Sequence, residues 1–418
     1  MRIGVYFSPV KSAGGVYQYS IAFLEALSKI PGHKYVVITT SNDVPKKFRK
    51  SKRFEIIDRS HKKRGTPNRA INRFSYLMSY MAARLSNVSI LTPLYRFGQR
   101  ETVKVIESKS LDLMFYPTSS NLSFLAKVPS VVAIHDLMHR ARPEFLEVSA
   151  AGRWENREYV YRNITKDSYG ILVDSEVGKR DVINYYHARP GKIVVLPFLP
   201  PAYLDNKMSI KNARKICRSL KLPERFIFYP ANFWPHKNHI NLIWAILQLK
   251  SQGKKINLVL TGSKDADFSS FEKVFSLVTK HRLNKQVFFL GYVSNKEISA
   301  IYKASTALVM PTYFGPTNIP VLEAWKMGTP VIYSDIRGCR EQLGNAGLLI
   351  DPDDPGDIAD KILKVYTHPK LVDKLVRRGY SRLDRWGFKD FSNRIEQIIL
   401  GYEKKISSTP NKNRVVSK

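Results

Sequence analysis

Cysteine is nearly absent from this chain of 418 residues. The two present, Cys217 and Cys339, lie far apart and in no CxxC pair, which argues against a disulfide framework or a zinc module and for a reducing compartment. Long apolar runs are missing as well. Nothing approaches the ~20 consecutive apolar residues needed to cross a bilayer. The opening MRIGVYFSPV holds only a short apolar stretch, so it reads as a first strand and lacks the apolar core of an export leader. A cytoplasmic protein is expected. No GxGxxG fingerprint follows any strand, which leaves a dinucleotide cofactor without specific support.

Acidic side chains are scarce, 35 Asp and Glu against 68 Lys and Arg, for a formal net charge of +33. The imbalance is concentrated: residues 45–104 hold 16 basic and 3 acidic side chains, and residues 361–418 hold 15 and 5. Such islands either serve solubility alone or attract an anionic partner, a membrane leaflet or a nucleic acid. In the first island Ile71, Phe74, Leu77, Met78, Met81 and Leu85 recur at helical spacing beside Arg69, Arg73 and Arg84, with Tyr76 and Tyr80 interleaved. That pattern fits an interfacial helix, or a helix laying its apolar stripe on its own domain. No helix-turn-helix, zinc-finger or RNP-like pattern accompanies the charge, so nucleic acid is not the expected partner.

What is present is enough apolar surface for a sizeable core, 44% hydrophobic and 11% aromatic residues, in a chain too long for one. Apolar strand patterns at 2–7, 35–40, 111–117, 131–134, 170–175 and 192–197 alternate with helical stretches, the pattern of a doubly wound α/β domain. LPFLPPAYLDN (196–206) breaks the alternation with three prolines and reads as a linker. Alternation then restarts at 225–230, 256–262, 286–291 and ALVMP, ending in a solvated, basic tail.

The richest stretch is 309–354: a buried strand, a Gly/Pro-rich loop, a helix carrying Glu323, a second short strand and another loop. Loop amides ahead of a helix N-terminus favour an anion, and Glu323, set beyond the first helical residues, can accept hydrogen bonds from hydroxyls. In parallel sheets ligands bind beyond the C-terminal strand ends. That rule singles out the Gly14-Gly15 loop, His135 and Asp136 after the apolar run 131–134, and the loops ANFWPHKN, TGSKD, GYVSN and PTYFGPTNIP of the second half. Lys237 is then a candidate cation for a diphosphate, with Asn232 a neutral donor beside it.

PTYFGPTNIPVLEAWKMGTPVIYSDIRGCREQLGNAGLLIDPDDP, YPANFWPHKNH, FLGYVSNKEISAIYKAS, the Gly14-Gly15 loop, VVAIHDL and the closing RWGFKDFSNRI together resemble the retaining glycosyltransferases of family 4, the group 1 type. The resemblance implies a GT-B fold: two doubly wound Rossmann-like domains with parallel sheets facing across a cleft. Residues 1–200 would form the acceptor-side domain and 201–385 the nucleotide-sugar domain; 386–405 would be a helix packing back towards the first, and 406–418 a flexible tail. Glu323 matches the second glutamate of the family's E-x7-E signature, the one that binds ribose hydroxyls. The first falls on Gly315, so the chain departs from the signature, and Thr317 and Asn318 would offer donors in its place. The family's phosphate-loop Arg falls on Asn232 while its Lys is kept as Lys237, which makes His236 or a basic residue of the first half the candidate second cation. Val293 would contact the base through its backbone and His135 would face the transferred sugar.

The expected catalytic residues are therefore His135, Lys237 and Glu323. The expected donor-binding set is Gly14, Gly15, Asn232, Lys237, Val293, Gly315, Thr317, Asn318 and Glu323. No cofactor or metal is expected. The implied activity is transfer of a hexosyl or deoxyhexosyl unit, with retention, from a nucleotide-diphosphate sugar to a saccharide. That acceptor is expected to be lipid-linked, in O-antigen or capsule-like polysaccharide synthesis at the anionic inner face of a membrane. The rival readings are a sugar-nucleotide epimerase on the same fold and a basic nucleic-acid-binding protein.

Overall fold

The protein was analysed as a computed structural model that describes residues 1–11, 14–60, 81, 91–265 and 268–408. Most of the amphipathic stretch 69–85 and the tail from 409 lie outside these residues.

Two parallel sheets organise the chain. The first holds β1 (Arg2–Phe7), β2 (Lys34–Thr39), β3 (Phe54–Asp58), β4 (Leu113–Tyr116), β5 (Ser130–Ala133), β6 (Gly170–Val173) and β7 (Ile193–Val195), in the order β3-β2-β1-β4-β5-β6-β7. The second holds β8 (Ile227–Pro230), β9 (Leu258–Thr261), β10 (Val287–Gly291), β11 (Ala307–Met310), β12 (Val331–Ser334) and β13 (Leu348–Ile350), in the order β10-β9-β8-β11-β12-β13. The inner strands are apolar throughout because helices cover both faces: β4, β5, β9 and β11 are buried at every position. Each sheet reverses its winding once, between β1 and β4 in the first and between β8 and β11 in the second. At those switch points the loops leaving adjacent strands diverge and open a crevice. The crevices are lined by the Gly14-Gly15 loop on one side and by the loops 231–238 and 311–318 on the other.

Three elements had no clear sequence signal. β3 lies within the first basic island, where FEIID is half-buried at the sheet edge and flanked by charge. The segment after β12 contains a five-residue helix, Cys339–Leu343, and the three-residue edge strand β13; both are too short to show a period. The DPDD run serves as a helix start, with Asp354 accepting the Gly356 N–H at 2.7 Å ahead of Pro355 at the first helical position.

The last helix, Phe388–Ser408, crosses back to the first domain. Phe391, Ile395, Ile399 and Tyr402 are buried in the core that also holds Phe23 and Tyr19 of the helix Gly15–Lys29. Burying each such side chain contributes roughly 1.5–3 kcal/mol. At the crossing, the Trp386 indole N–H donates to the Pro197 carbonyl at 3.1 Å, which ties the returning chain to the interdomain linker.

Candidate active site

Gly14 sits at φ 60°, ψ −117°, a conformation that a residue with a Cβ avoids, and it starts the helix Gly15–Lys29 without a side-chain cap. A Cβ on Gly15 would lie 3.0 Å from Ile319 Cδ1, at the start of the second domain's helix Ile319–Met327. The two glycines therefore let the first domain's loop close against the second domain's Glu323 helix.

Across the cleft, residues 235–237 form a single 3-10 turn, and Asn238 follows in the left-handed region at φ 56°. Asn238 donates from Nδ2 to the carbonyls of Pro311 (2.9 Å) and Pro352 (2.7 Å), which fastens this loop to the segments following β11 and β13. Lys237 is half-buried on that turn; its backbone bonds to Trp234 and Tyr229, while its side-chain ammonium has no hydrogen-bond or ion-pair partner among the described residues. Burial lowers its pKa to about 8, with the charges of Asp136 and Glu147 opposing the shift. An ammonium so placed is a receptor for an anion. Asn232 accepts the Ser263 N–H at 2.8 Å and braces the next loop. His236 does not supply a second cation: its backbone N–H and Nδ1 both bond to Glu147 Oε1 (3.1 and 2.8 Å), and burial together with Lys237 holds its pKa at about 4. The basic residue of the first half that does reach this wall is Arg142, which donates to the Tyr313 carbonyl at 3.2 Å and stacks over its ring.

The loop 311–318 carries Gly315 at φ 121°. Its carbonyl accepts from Asn318 Nδ2 at 2.9 Å and from the Tyr333 hydroxyl. Thr317 and Asn318, expected to face a diphosphate, have protein partners. Thr317 donates to Asp174 Oδ2 of the first domain, and Asn318 bonds to Gly315, to Tyr333 and, through its backbone N–H, to Gln342. The N–H groups of Gly315 and Thr317 make no hydrogen bond among the described residues. Glu323 is buried, 6% exposed. Its Oε1 accepts from the Tyr203 hydroxyl at 2.5 Å and its Oε2 from the Tyr302 hydroxyl at 2.6 Å. It does accept from hydroxyls, and here both belong to the protein. Val293 follows β10, half-buried against the second core beside the exposed Tyr292.

On the first domain, His135 stands at the end of β5 against Tyr19 and Phe198. Its Nε2 lies 2.8 Å from the Pro117 carbonyl, which only accepts, so the proton is on Nε2 and Nδ1 is an acceptor. Burial lowers its pKa, leaving a neutral ring. The neighbouring Asp136 would be raised by burial, but the Arg157 guanidinium at 2.7 Å and the Met138 N–H outweigh that and hold it at about 2.

Four residues of this wall had no motif to announce them: Glu147, Asp174, Tyr203 and Glu341. Glu147 and Asp174 each bond across the cleft. Glu341 reaches from the second domain to accept the N–H groups of Glu176 (2.7 Å) and Val177 (3.1 Å), so a carboxylate occupies the positive end of the helix Glu176–Tyr186. Asp181 on that helix pairs with Arg337 at 2.6 Å. Their partners are 89 to 165 residues away in sequence, and that separation hides them.

Among the described residues, the arrangement puts an ammonium without a side-chain partner, two free loop amides and a buried carboxylate on the second domain, and a neutral imidazole after β5 of the first, all beyond the C-terminal strand ends. Such a site can hold a phosphate group beside hydroxyl-bearing rings.

Comparison with known proteins gives the following. Residues 214–382 match the family described as glycosyl transferases group 1. Over 381 residues the chain is 25% identical to O-antigen chain mannosyltransferase RfbU of Salmonella typhimurium, covering 87% of this chain and 90% of that protein. Other curated relatives align over shorter stretches, from 26% to 66% of their own length. Among solved structures, Anabaena Alr3699/HepE in complex with UDP and glucose superposes with a TM-score of 0.70 at 16% identity, over 96% of this chain and 100% of that one. WaaG, a glycosyltransferase involved in lipopolysaccharide biosynthesis, superposes with a TM-score of 0.68 at 17% identity, over 96% and 100%.

Proposed function

We propose that this chain, a GT-B protein whose second domain belongs to the group 1 glycosyl transferases, transfers a hexosyl or deoxyhexosyl unit from a nucleotide-diphosphate sugar to a saccharide acceptor with retention of configuration. The observation that carries this is Lys237: an ammonium held half out of water, without a side-chain partner among the described residues, on the turn after β8 that Asn238 fastens to the segment following β11. Departure of a nucleoside diphosphate builds negative charge on its β-phosphate. The Lys237 charge and the free N–H groups of Gly315 and Thr317 are fixed in advance to meet it. Glu323 holds the ribose hydroxyls. His135, neutral and with Nδ1 as an acceptor, takes a hydrogen bond from the transferred sugar. Attack on the face that the leaving phosphate vacates, with that phosphate taking the acceptor's proton, gives retention without a protein nucleophile. No metal takes part, so transfer is expected to persist in EDTA.

The names of the Salmonella relative and of WaaG support an acceptor in O-antigen or lipopolysaccharide synthesis, lipid-linked and met at an anionic membrane. No helix among the described residues is long and apolar enough to cross a membrane. A surface attachment is supported by a groove of ≈ 830 Å³ between the helix Phe388–Ser408 and the starts of β5 to β7. Arg189, Lys192, Arg394 and Lys405 line it, with Asp167 the only carboxylate and Tyr169, Ile398 and Ile406 as apolar wall.

Two measurements test the reading. Glu323→Ala should cut transfer at least a hundredfold in an assay with a panel of nucleotide sugars, and wild-type turnover in that variant sinks the site assignment. Co-sedimentation with phosphatidylglycerol vesicles should be lost between 0.1 and 1 M salt as the screening length falls from ~10 to ~3 Å; salt-insensitive or absent binding removes the membrane part.

A further inference from the structure

The linker carries two aromatic side chains five residues apart, and each ends on a proposed site residue of a different domain. The Phe198 ring lies 5.7 Å from His135, and the Tyr203 hydroxyl donates to Glu323 at 2.5 Å. The linker has little freedom to withdraw them. Pro197, Pro200 and Pro201 restrict its backbone, Trp386 holds the Pro197 carbonyl at 3.1 Å, and Lys326 Nζ holds the Pro201 carbonyl at 3.0 Å from the turn after Glu323 on the same helix.

We propose that Tyr203 is a positioning residue, holding the Glu323 carboxylate from the interdomain linker so that its remaining lone pairs face the ribose hydroxyls of a nucleotide. The proposal rests on the reading of Glu323 as the ribose-binding residue. Each carboxylate oxygen accepts about two hydrogen bonds. Tyr203 takes one site on Oε1 and Tyr302 one on Oε2, which leaves one on each oxygen, a pair matched to a vicinal diol. Tyr302 is fully buried and comes from the helix behind, whereas Tyr203 is half-buried and comes from the linker that joins the two domains. Tyr203 therefore makes the carboxylate's orientation depend on how the linker is held.

The charge state depends on the same contacts. Burial raises the Glu323 pKa; the phenols of Tyr203 and Tyr302 and the Lys326 charge pull it down, and Tyr292 faces Tyr203 from the loop after β10. Without the Tyr203 hydroxyl the carboxylate protonates at higher pH and turns more freely. Binding that uses it then weakens on acidification.

The test is titration of the full chain with UDP, GDP and ADP, each beside its 2′-deoxy form, from pH 5.5 to 8.5. Tyr203→Phe should weaken binding of the ribonucleotide about tenfold at pH 6 and less at pH 8, and should bring the ribo-to-deoxy preference towards unity. 3-Fluorotyrosine at position 203, a stronger donor of almost the same size, should move the pH profile the opposite way, and it serves if the Phe variant does not fold. A wild-type pH profile and ribo-to-deoxy ratio in either variant overturns the proposal. Glu323→Gln separates the two failures. If it abolishes the preference and the Tyr203 variants do not, Glu323 stands and the positioning role falls. If it leaves the preference intact, or if none of the three nucleotides binds wild type, the reading of Glu323 falls with it.

Discussion

Gly315 stands where the E-x7-E signature that the sequence resembles would put its first glutamate, so Gly315→Glu is the substitution that restores the signature, and the structure predicts that it fails. At φ 121° a residue with a Cβ is strained by about 1–3 kcal/mol. The new Cβ would lie 2.4 Å from Asn318 Nδ2, a distance that forces Asn318 to move. That side chain bonds to the Gly315 carbonyl at 2.9 Å and to the Tyr333 hydroxyl at 2.5 Å, and each bond lost costs about 0.5–1.5 kcal/mol. The sum is about 4 kcal/mol, which lowers the melting temperature of a domain of this size by roughly 8–16 °C. Calorimetry of the full chain at pH 7.5 measures it, together with affinity for the nucleoside diphosphate that binds wild type. Adding Asn318→Gly removes the clash, so the double variant should lose less than the two single losses added together. If Gly315→Glu melts within 2 °C of wild type and binds the nucleotide more tightly, the assignment of this loop as a closed, self-bonded turn is refuted.

Lys237→Met should weaken nucleoside diphosphate binding by about 1.5–3 kcal/mol, the worth of a charge-assisted hydrogen bond, or roughly 10- to 150-fold in Kd. With the free protein's Lys237 at about 8, wild-type affinity should fall as pH rises through 8, and Lys237→Arg should flatten that fall; an unchanged profile counts against Lys237 as the phosphate cation. Asp174 is buried and its pKa is raised to about 7, by burial first and then by the charges of Asp136 and Glu341, against ~3.9 in an unfolded chain. An acid raised on folding favours the folded state below the unfolded pKa, and that advantage is lost as pH rises through the folded one. Asp174→Asn should therefore leave stability unchanged near pH 4 and raise it relative to wild type at pH 8, by up to ~4 kcal/mol. Denaturant melts at the two pH values measure this, and equal curves at pH 8 would show that Asp174 is not a burial penalty.

The architecture was legible in the sequence because its signals are local. Apolar runs such as Val131–Ile134 and Ala307–Met310 can be buried on both faces in only one way, and Gly14, Gly15, Pro235 and Gly315 mark the chain reversals that put their neighbours at strand ends. The positions of Lys237, Glu323 and His135 follow from those reversals. The hydrogen-bond partners were not legible, because they depend on the sum of many local choices. Nothing near Thr317 announces Asp174, 143 residues earlier, and nothing near Glu323 announces Tyr203, 120 residues earlier. β3 was hidden for another reason: at a sheet edge, FEIID needs only part of its length buried, and its charged flanks resemble the island around it.

Those distant partners decide which groups can hold the phosphate. A threonine hydroxyl has one proton to donate, and in this conformation Thr317 gives it to Asp174 across the cleft. Asn318 has both amide protons engaged, by the Gly315 carbonyl and Tyr333. The Thr317 and Asn318 side chains therefore bridge to the first domain and shape their own loop. On the second domain's loops, the Lys237 ammonium and the N–H groups of Gly315 and Thr317 stay without a partner among the described residues and could meet an anion. Were the cleft to open, Thr317 would part from Asp174 and its hydroxyl would be freed, so a phosphate that recruited it would compete with closure, whereas one held by Lys237 and the amides would not. Under the proposed function, the second arrangement would let donor binding and domain closure reinforce each other, as transfer in a water-poor cleft requires.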